Sequence, residues 1–235
     1  MLKDLTVAMS SMYNTIMDLP IFKGISRDQV SSFLEKTTIS FRTYSKGEIV
    51  FRPGDLCRDI RYLISGNLMI THSHFSGKVI VRESLAPGTV IGADRLFGLN
   101  TRMCARAECK GRVDMMWFSK EQFLQLLRSD DIYQINLLNY LSLRAQKAAD
   151  LLNDFSSGSL LAHLGFWVSV FTERGSTGIE MDVTPKNLSL LTGISVEELS
   201  TQLAYIRKEG LASFSKVKSC MRIESREALI ESAFE

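Results

Sequence analysis

Three groups of residues in this 235-residue chain have types and spacings that could carry chemistry. The first is His72 and His74, which on a strand would point both imidazoles to one face, as a metal or haem ligand pair requires. The second is the set of thiols Cys57, Cys104, Cys109 and Cys220, scattered with no Cys-x-x-Cys pair. That spacing argues against a zinc ribbon or an iron–sulfur cluster and fits a reduced cytoplasm. Buried structural thiols are the default for such residues, with redox sensing by Cys57, Cys104 or Cys109 as the alternative. The third is a set of small residues and a carboxylate, Ser195, Val196, Glu197, Ser200 and Thr201, in a stretch that also carries local cations. At the N-terminal half of a helix these groups could meet base edges in a major groove. Glu197 could accept from a cytosine amino group, Val196 could touch a thymine methyl, and Thr201 could make a single hydrogen bond. Thr184, Lys186, Arg207, Lys208, Lys216 and Lys218 are the matching candidates for phosphate contacts.

The elements needed to position this third group are legible around it. Thr184 is a good N-cap and Pro185 suits the first helical position. Leu188 and Leu191 give that helix an apolar side, and Thr192-Gly193-Ile194 ends it in a tight turn. Ser195 and Glu198 have capping-box spacing at the start of a second helix, which Leu199, Leu203 and Ile206 line at helical period. Gly210 and Leu211 close it in the manner of a Schellman motif. Ala212–Phe214 and Met221–Ile223 then flank the basic tip 215–219 as a small hairpin. Helix, glycine turn, helix and hairpin make a winged helix-turn-helix, although the helix pair alone is equally an αα-hairpin. Between Val183 and Ile223 six Lys or Arg stand against three Glu, while the tail from Glu224 to Glu235 adds four carboxylates against Arg226. The local excess suits a salt-sensitive binder that is not a tight non-specific one.

Upstream, the first forty residues have helical patterning, with Ser26 and Gln29 at capping-box spacing before Val30, Phe33 and Leu34. From about Thr38 the period changes to two. Short runs follow at Ile39–Tyr44, Glu48–Phe51, Ile60–Ile64, Leu68–Phe75, Val79–Leu85, Met103–Cys109 and Val113–Phe118, with glycine turns such as Ser65-Gly66-Asn67 and Ser76-Gly77 between them. Many short strands at close spacing indicate an antiparallel roll or barrel. Ser119 and Gln122 start a helix, and a long helix is expected from Asp131 to Phe155. In it Leu138, Leu141, Ala145, Ala148, Leu152 and Phe155 form a heptad seam suited to a dimer, while Ile132 and Ile135 could face the helix's own domain. Ser156 to Ser159 is the best linker. The expected division is a β-roll at 1–130, a dimerisation helix and linker at 131–158, and a winged helix-turn-helix at 159–235, an α+β chain. A net charge of +2 announces no nucleic acid by itself, so any basic surface must be local. Met1 to Tyr13 lacks an apolar core of signal-peptide length, and the apolar run Leu160–Phe171, with Leu164, Trp167 and Val168 on one side, is too short to span a membrane. A cytoplasmic location with no membrane partner is expected.

Lys46-Gly47-Glu48, Arg52-Pro53-Gly54-Asp55, Gly66, Pro87-Gly88 and Gly92, followed by a long helix and a winged helix-turn-helix, resemble the cAMP-receptor/fumarate-nitrate-reductase (Crp/Fnr) family of transcription regulators from Ile21 to Ile223. The resemblance implies a jelly-roll sensor like that of cyclic-nucleotide-binding proteins, a homodimer, a two-fold symmetric site on double-stranded DNA, and RNA polymerase as a further partner. In cyclic-nucleotide-binding members a Gly-Glu-Leu segment is followed by Arg-Ser or Arg-Thr, whose groups hold ribose and cyclic phosphate. Here those positions are Gly92-Ala93-Asp94, then Met103 and Cys104, with Arg102 one residue away on the opposite strand face. An effector pocket at Gly92, Ala93, Asp94, Arg102, Met103 and Cys104 is therefore expected for an unknown small molecule, with cAMP and cGMP disfavoured. The cysteine cluster of the iron–sulfur subgroup is missing, no haem signature stands out, and the cofactor is left unassigned. The family's base-contacting Glu falls on Glu197, but its two flanking Arg positions are Val196 and Thr201, so the cAMP-receptor consensus site is not expected. No catalytic residues are assigned. Two other readings stand beside this one. Gly66 and His72-x-His74 echo the cupin metal motif of a β-barrel enzyme, yet the carboxylate it needs would fall on Lys78 or Val79, so no metal site is assigned. The missing arginines would also suit a regulatory subunit that has lost DNA binding.

Overall fold

The structure is a computed structural model that describes residues 17, 19–36, 39–73, 77–153 and 159–234, with no side-chain description at 33–36, 148, 151 and 153. His74, Phe155 and the linker residues 156–158 lie outside the described residues, as do the side chains of Phe33, Leu34 and Ala148. After a short 3-10 turn at Pro20–Phe22 and helix α1 (Arg27–Lys36) come strands β1 (Ser40–Tyr44), β2 (Ile49–Phe51), β3 (Asp59–Ser73), β4 (Ile80–Leu85), β5 (Val90–Ile91) and β6 (Ala105–Ser119). Helices α2 (Lys120–Ser129), α3 (Asp131–Asn153) and α4 (Leu160–Phe171) follow. Strand β7 (Thr177–Asp182), helices α5 (Pro185–Thr192) and α6 (Val196–Lys208), strands β8 (Ala212–Ser215) and β9 (Cys220–Ile223), and helix α7 (Arg226–Phe234) complete the chain.

The roll is antiparallel, and β3 and β6 are its two long arms. Each spans two of the runs expected from the sequence: Ser65-Gly66-Asn67 is a bulge inside β3, with register shifts on either side, where a turn was expected. Gly66 is required there. Its φ is +94°, and a Cβ would lie 2.1 Å from the Arg112 carbonyl oxygen. Tyr44, Phe51, Leu63, Leu68, Ile70, Ala107 and Met115 fill the interior of the roll. A second cluster packs Phe22, Val30, Tyr62, Phe118 and Phe123 against Tyr133 and Leu137 of α3. Of the apolar set read as facing the roll, Ile132 packs on this cluster, but Ile135 is exposed; Tyr133 and Leu137 take its place.

The C-terminal portion has its own core, in which Leu160, Leu164, Trp167 and Val168 of α4 meet Leu188, Leu199, Ile206, Met221 and Leu229. Val79 and Val81 from the roll belong to the same core. The reason is a single sheet running through both halves in the order β1-β6-β3-β4-β7-β9-β8. Strand β4 pairs with β7 from Ile80↔Asp182 to Ser84↔Thr177, and Arg82 forms a two-pronged ion pair with Asp182. Residues 224–235, read as a charged tail, contain helix α7 packed on α4. Its Arg226 is buried, donating to the hydroxyl and the carbonyl of Thr172 at the end of α4 (2.9 and 3.0 Å). No helix among the described residues is long and apolar enough to cross a membrane.

Candidate functional site

A cavity of about 280 Å³ lies where the roll, α3 and the C-terminal portion meet. Its apolar wall includes Phe51, Ile70, Leu85, Met103 and Phe171. Its polar wall consists of His72 on β3, Glu83 on β4, Asp94 and Arg95 after β5, Cys104 before β6, Arg144 on α3, and Glu173 after α4. Of the six residues expected to form an effector pocket, Gly92, Asp94, Met103 and Cys104 line it. Ala93 is buried in the neighbouring core instead, and Arg102 turns away to donate to the carbonyl of Gly54 at 2.7 Å. Residues 92–96 form a tight turn, in which the Arg95 and Leu96 N–H groups donate to the Gly92 carbonyl, and this turn carries Ala93 into the core beside the cavity.

Glu83 is the buried hub of this wall, 1% exposed. The alternation of β4 places Val81, Glu83 and Leu85 inward. The carboxylate accepts from the Glu173 N–H at 2.7 Å and the Ser176 hydroxyl at 2.5 Å, both beyond the end of α4. Its other oxygen lies 3.5 Å from Nε2 of His72. The ring also stacks at a tilt on Phe171, with centroids 5.9 Å apart. Burial alone would lower the His72 pKa, but hydrogen bonds to Cys104 and Glu83 more than offset it and hold it up at about 9. The same contact with His72 holds the Cys104 thiol below its ordinary value, opposed by burial and helped by Arg95. Arg95 Nη2 stands 3.6 Å from Sγ of Cys104, and its Nε is 3.2 Å from Asp94. Arg144 spans from α3 to the C-terminal portion, donating both terminal nitrogens to Glu173 at 2.7 and 2.8 Å.

His72, Glu83, Arg95, Arg144 and Glu173 were not among the expected pocket residues. Glu83 carried a signal, a carboxylate at an inward position of an alternating strand; the others come together only through tertiary structure. Among the described residues no group of three or more His, Cys, Asp or Glu is arranged to hold a metal ion. The remaining cysteines differ from Cys104. Cys57 and Cys109 are buried and Cys220 is half-buried, and burial pushes all three thiols up.

The second candidate surface is the outer face of α6. Gly193 ends α5 with φ +74°, Ser195 caps α6, and the Schellman bonds Leu211 N–H to Ile206 O and Gly210 N–H to Arg207 O close it at 3.1 Å each. The expected capping box is half formed: Ser195 accepts from the Glu198 N–H, but the Glu198 carboxylate accepts from Gln202 instead. Gln202 in turn accepts from the Leu160 N–H at 2.7 Å, fixing α6 to the start of α4. Leu199 and Ile206 are buried and Leu203 is half-buried, so Val196, Glu197, Ser200 and Thr201 lie on the exposed face. Two of the expected base readers are partly engaged, Ser195 as the cap and Ser200 in donating to the Val196 carbonyl. Thr184 likewise caps α5 through Asn187. Lys186, Arg207, Lys208, Lys216 and Lys218 are all exposed. On α3, Leu138, Ala145 and Leu152 of the expected seam are exposed, while Leu141 packs on the roll's core. Ile135 and Leu138 continue the exposed stripe toward the start of the helix.

Residues 41–130 match the family described as the cyclic nucleotide-binding domain. No curated protein matches the chain. Among solved structures it is similar to the catabolite activator protein of Thermus thermophilus, at 23% identity over 92% of this chain and 98% of that one, with a TM-score of 0.49. It is also similar to CprK in its reduced, ligand-free form, at 17% identity over 87% and 97% of the two chains and a TM-score of 0.43. The sensor domain of the transcriptional regulator DNR from Pseudomonas aeruginosa gives 22% identity over 58% and 90%, with a TM-score of 0.48. The residues matched to that family build the roll and much of the cavity wall.

Proposed function

We propose that the chain is a dimeric, sequence-specific DNA-binding transcription regulator whose roll answers to a small molecule other than a cyclic nucleotide. The observation that carries the DNA reading is the α5–α6 pair with its glycine turn and following hairpin, a winged helix-turn-helix arrangement whose outer face is polar and flanked by exposed cations. With Ser195 and Ser200 engaged by their own helix, base reading falls chiefly to Glu197 and Thr201, with Val196 offering methyls to thymine. Lys186, Arg207, Lys208, Lys216 and Lys218 serve the phosphates. The exposed Ile135, Leu138 and Leu152 on α3 supply an apolar stripe for a second copy of the chain.

The cavity chemistry supports a non-nucleotide effector. A cyclic phosphate needs converging, uncommitted donors. Here Met103 and Cys104 stand where the resemblance would put the clamp, Arg144 is committed to Glu173, and Arg95 is shared between Asp94 and Cys104. The test separates base reading from charge. Glu197→Ala is expected to change which base is preferred at one position of the site. Lys216→Ala or Lys218→Ala is expected to weaken binding to every sequence alike and to reduce the salt slope by about one. Competition binding on a set of duplexes measures both, and equal effects of all three changes on every sequence would contradict the assignment.

A further inference from the structure

The cavity holds a constellation that small-molecule sensing alone does not need. Cys104 sits at its exposed edge with the imidazole of His72 and the guanidinium of Arg95 turned on its sulfur, while Glu83 holds the far side of the imidazole. Its three fellow thiols have no comparable setting. The charged and titratable groups facing it are His72 from β3, Glu83 from β4, Asp94 and Arg95 from the segment after β5, Arg144 from α3, and Glu173 from the turn after α4. Of these, Asp94 opposes the thiolate, and His72 and Arg95 favour it. Thiolates become nucleophilic in electropositive, partly exposed surroundings of this kind.

We infer that Cys104 is a covalent capture site for a small organic electrophile of the conjugate-acceptor class, such as an enone or a quinone-like carbonyl. The cavity suits such a compound better than a peroxide. Its volume accommodates an organic body, and Phe51, Ile70, Met103 and Phe171 offer that body an apolar wall, as ligand cavities commonly do. In the step, the Cys104 thiolate attacks the β-carbon and forms a C–S bond. The π electrons of the acceptor move onto its carbonyl oxygen as an enolate, which Arg95 is placed to stabilise. The His72 imidazolium gives its proton to the enolate. Thiolate, imidazolium and acceptor become thioether and neutral imidazole, with no leaving group and no oxidant. The inference does not depend on DNA binding.

The experiment treats the full chain with N-ethylmaleimide, itself a conjugate acceptor, and maps the rate at each of the four cysteines by peptide mass spectrometry across pH. At about pH 7 Cys104 is expected to react roughly tenfold or more faster than half-buried Cys220. Its rate should level off below the ordinary thiol range of about 8.5. The sign follows from the depressed thiol pKa: the thiolate, and so the rate, is already present on the acid side of that range. His72→Gln should move the midpoint of the profile up toward the ordinary range, a change in pH dependence that a merely structural role would not produce. Protection of buried Cys57 and Cys109 reports that the variant is folded. If it is not, Arg95→Gln supplies the same shift in smaller measure. Cys104 reacting no faster than Cys220, or a wild-type profile rising only through the ordinary range, overturns the proposal. So does a folded His72→Gln variant with an unmoved profile.

Discussion

Gly66→Ala is expected to destabilise the roll by about 3 kcal/mol or more, a large share of the stability of a domain this size. Two independent penalties add at this residue. The first is backbone conformation, because φ is +94°, a region that a Cβ makes costly. The second is steric: the new Cβ would fall 2.1 Å from the Arg112 carbonyl oxygen and 2.9 Å from the Val113 Cα, both backbone atoms of the facing arm. Neither can withdraw without breaking the β3–β6 ladder on which the whole roll is hung. Gly111 provides the control, for a Cβ there meets nothing within 4 Å. Urea unfolding followed by circular dichroism should show a much lower midpoint for Gly66→Ala and almost none of that loss for Gly111→Ala. Equal behaviour of the two variants would mean that the bulge is misplaced.

Glu83→Ala should have a comparable effect by a different route. It removes the acceptor for the Glu173 N–H and the Ser176 hydroxyl and takes away the His72 partner. A donor left unsatisfied in a buried place costs about 1–3 kcal/mol, and two are orphaned at once. The loss should be local as well as global. The Glu83 contacts, the Arg144–Glu173 pair and the β4–β7 ladder together form the joint between roll and C-terminal portion. Amide hydrogen exchange is therefore expected to quicken most in residues 173–182, with the interior of the roll far less affected. Glu83→Gln, which keeps a carbonyl acceptor, should retain part of the protection. A uniform change across the chain, or none, would remove Glu83 from its place as the hub. The same joint explains why chemistry at His72 would reach the C-terminal helices, since one imidazole faces both Cys104 and the carboxylate that holds Glu173 and Ser176.

Much of this was legible in the chain, and the failures have physical causes. The capping boxes at Ser26–Gln29 and Ser119–Gln122 form as their spacing indicates, because both partners are local. The box at Ser195 loses half its pattern because Gln202 competes for the Glu198 carboxylate one turn along. Gly66 reads as a turn from sequence, since positive φ is the common requirement of turns and bulges and only the partner strand distinguishes them. Helix α7 was concealed by its charges, and burial of Arg226 is invisible until Thr172 is brought to it by the fold. On α3 the heptad spacing fits two adjacent seams, and contact with the roll claims Leu141 for the inside. Part of the cavity wall, Gly92, Asp94, Met103 and Cys104, could be placed from the segment between β5 and β6. The rest comes from the earlier strands, from α3 and from the end of α4, which no local pattern links to it.

On the function proposed above, the outer face of α6 and the hairpin tip bind a two-fold symmetric DNA site. Selection from a pool of random duplexes with the full chain, repeated at low and at physiological salt, tests it most directly. The expected product is an inverted repeat whose half-sites lie about one helical turn, roughly 34 Å, apart, with affinity falling steeply as salt rises. Enrichment of no symmetric sequence at either salt concentration, with the protein unmodified and with Cys104 alkylated, would contradict it.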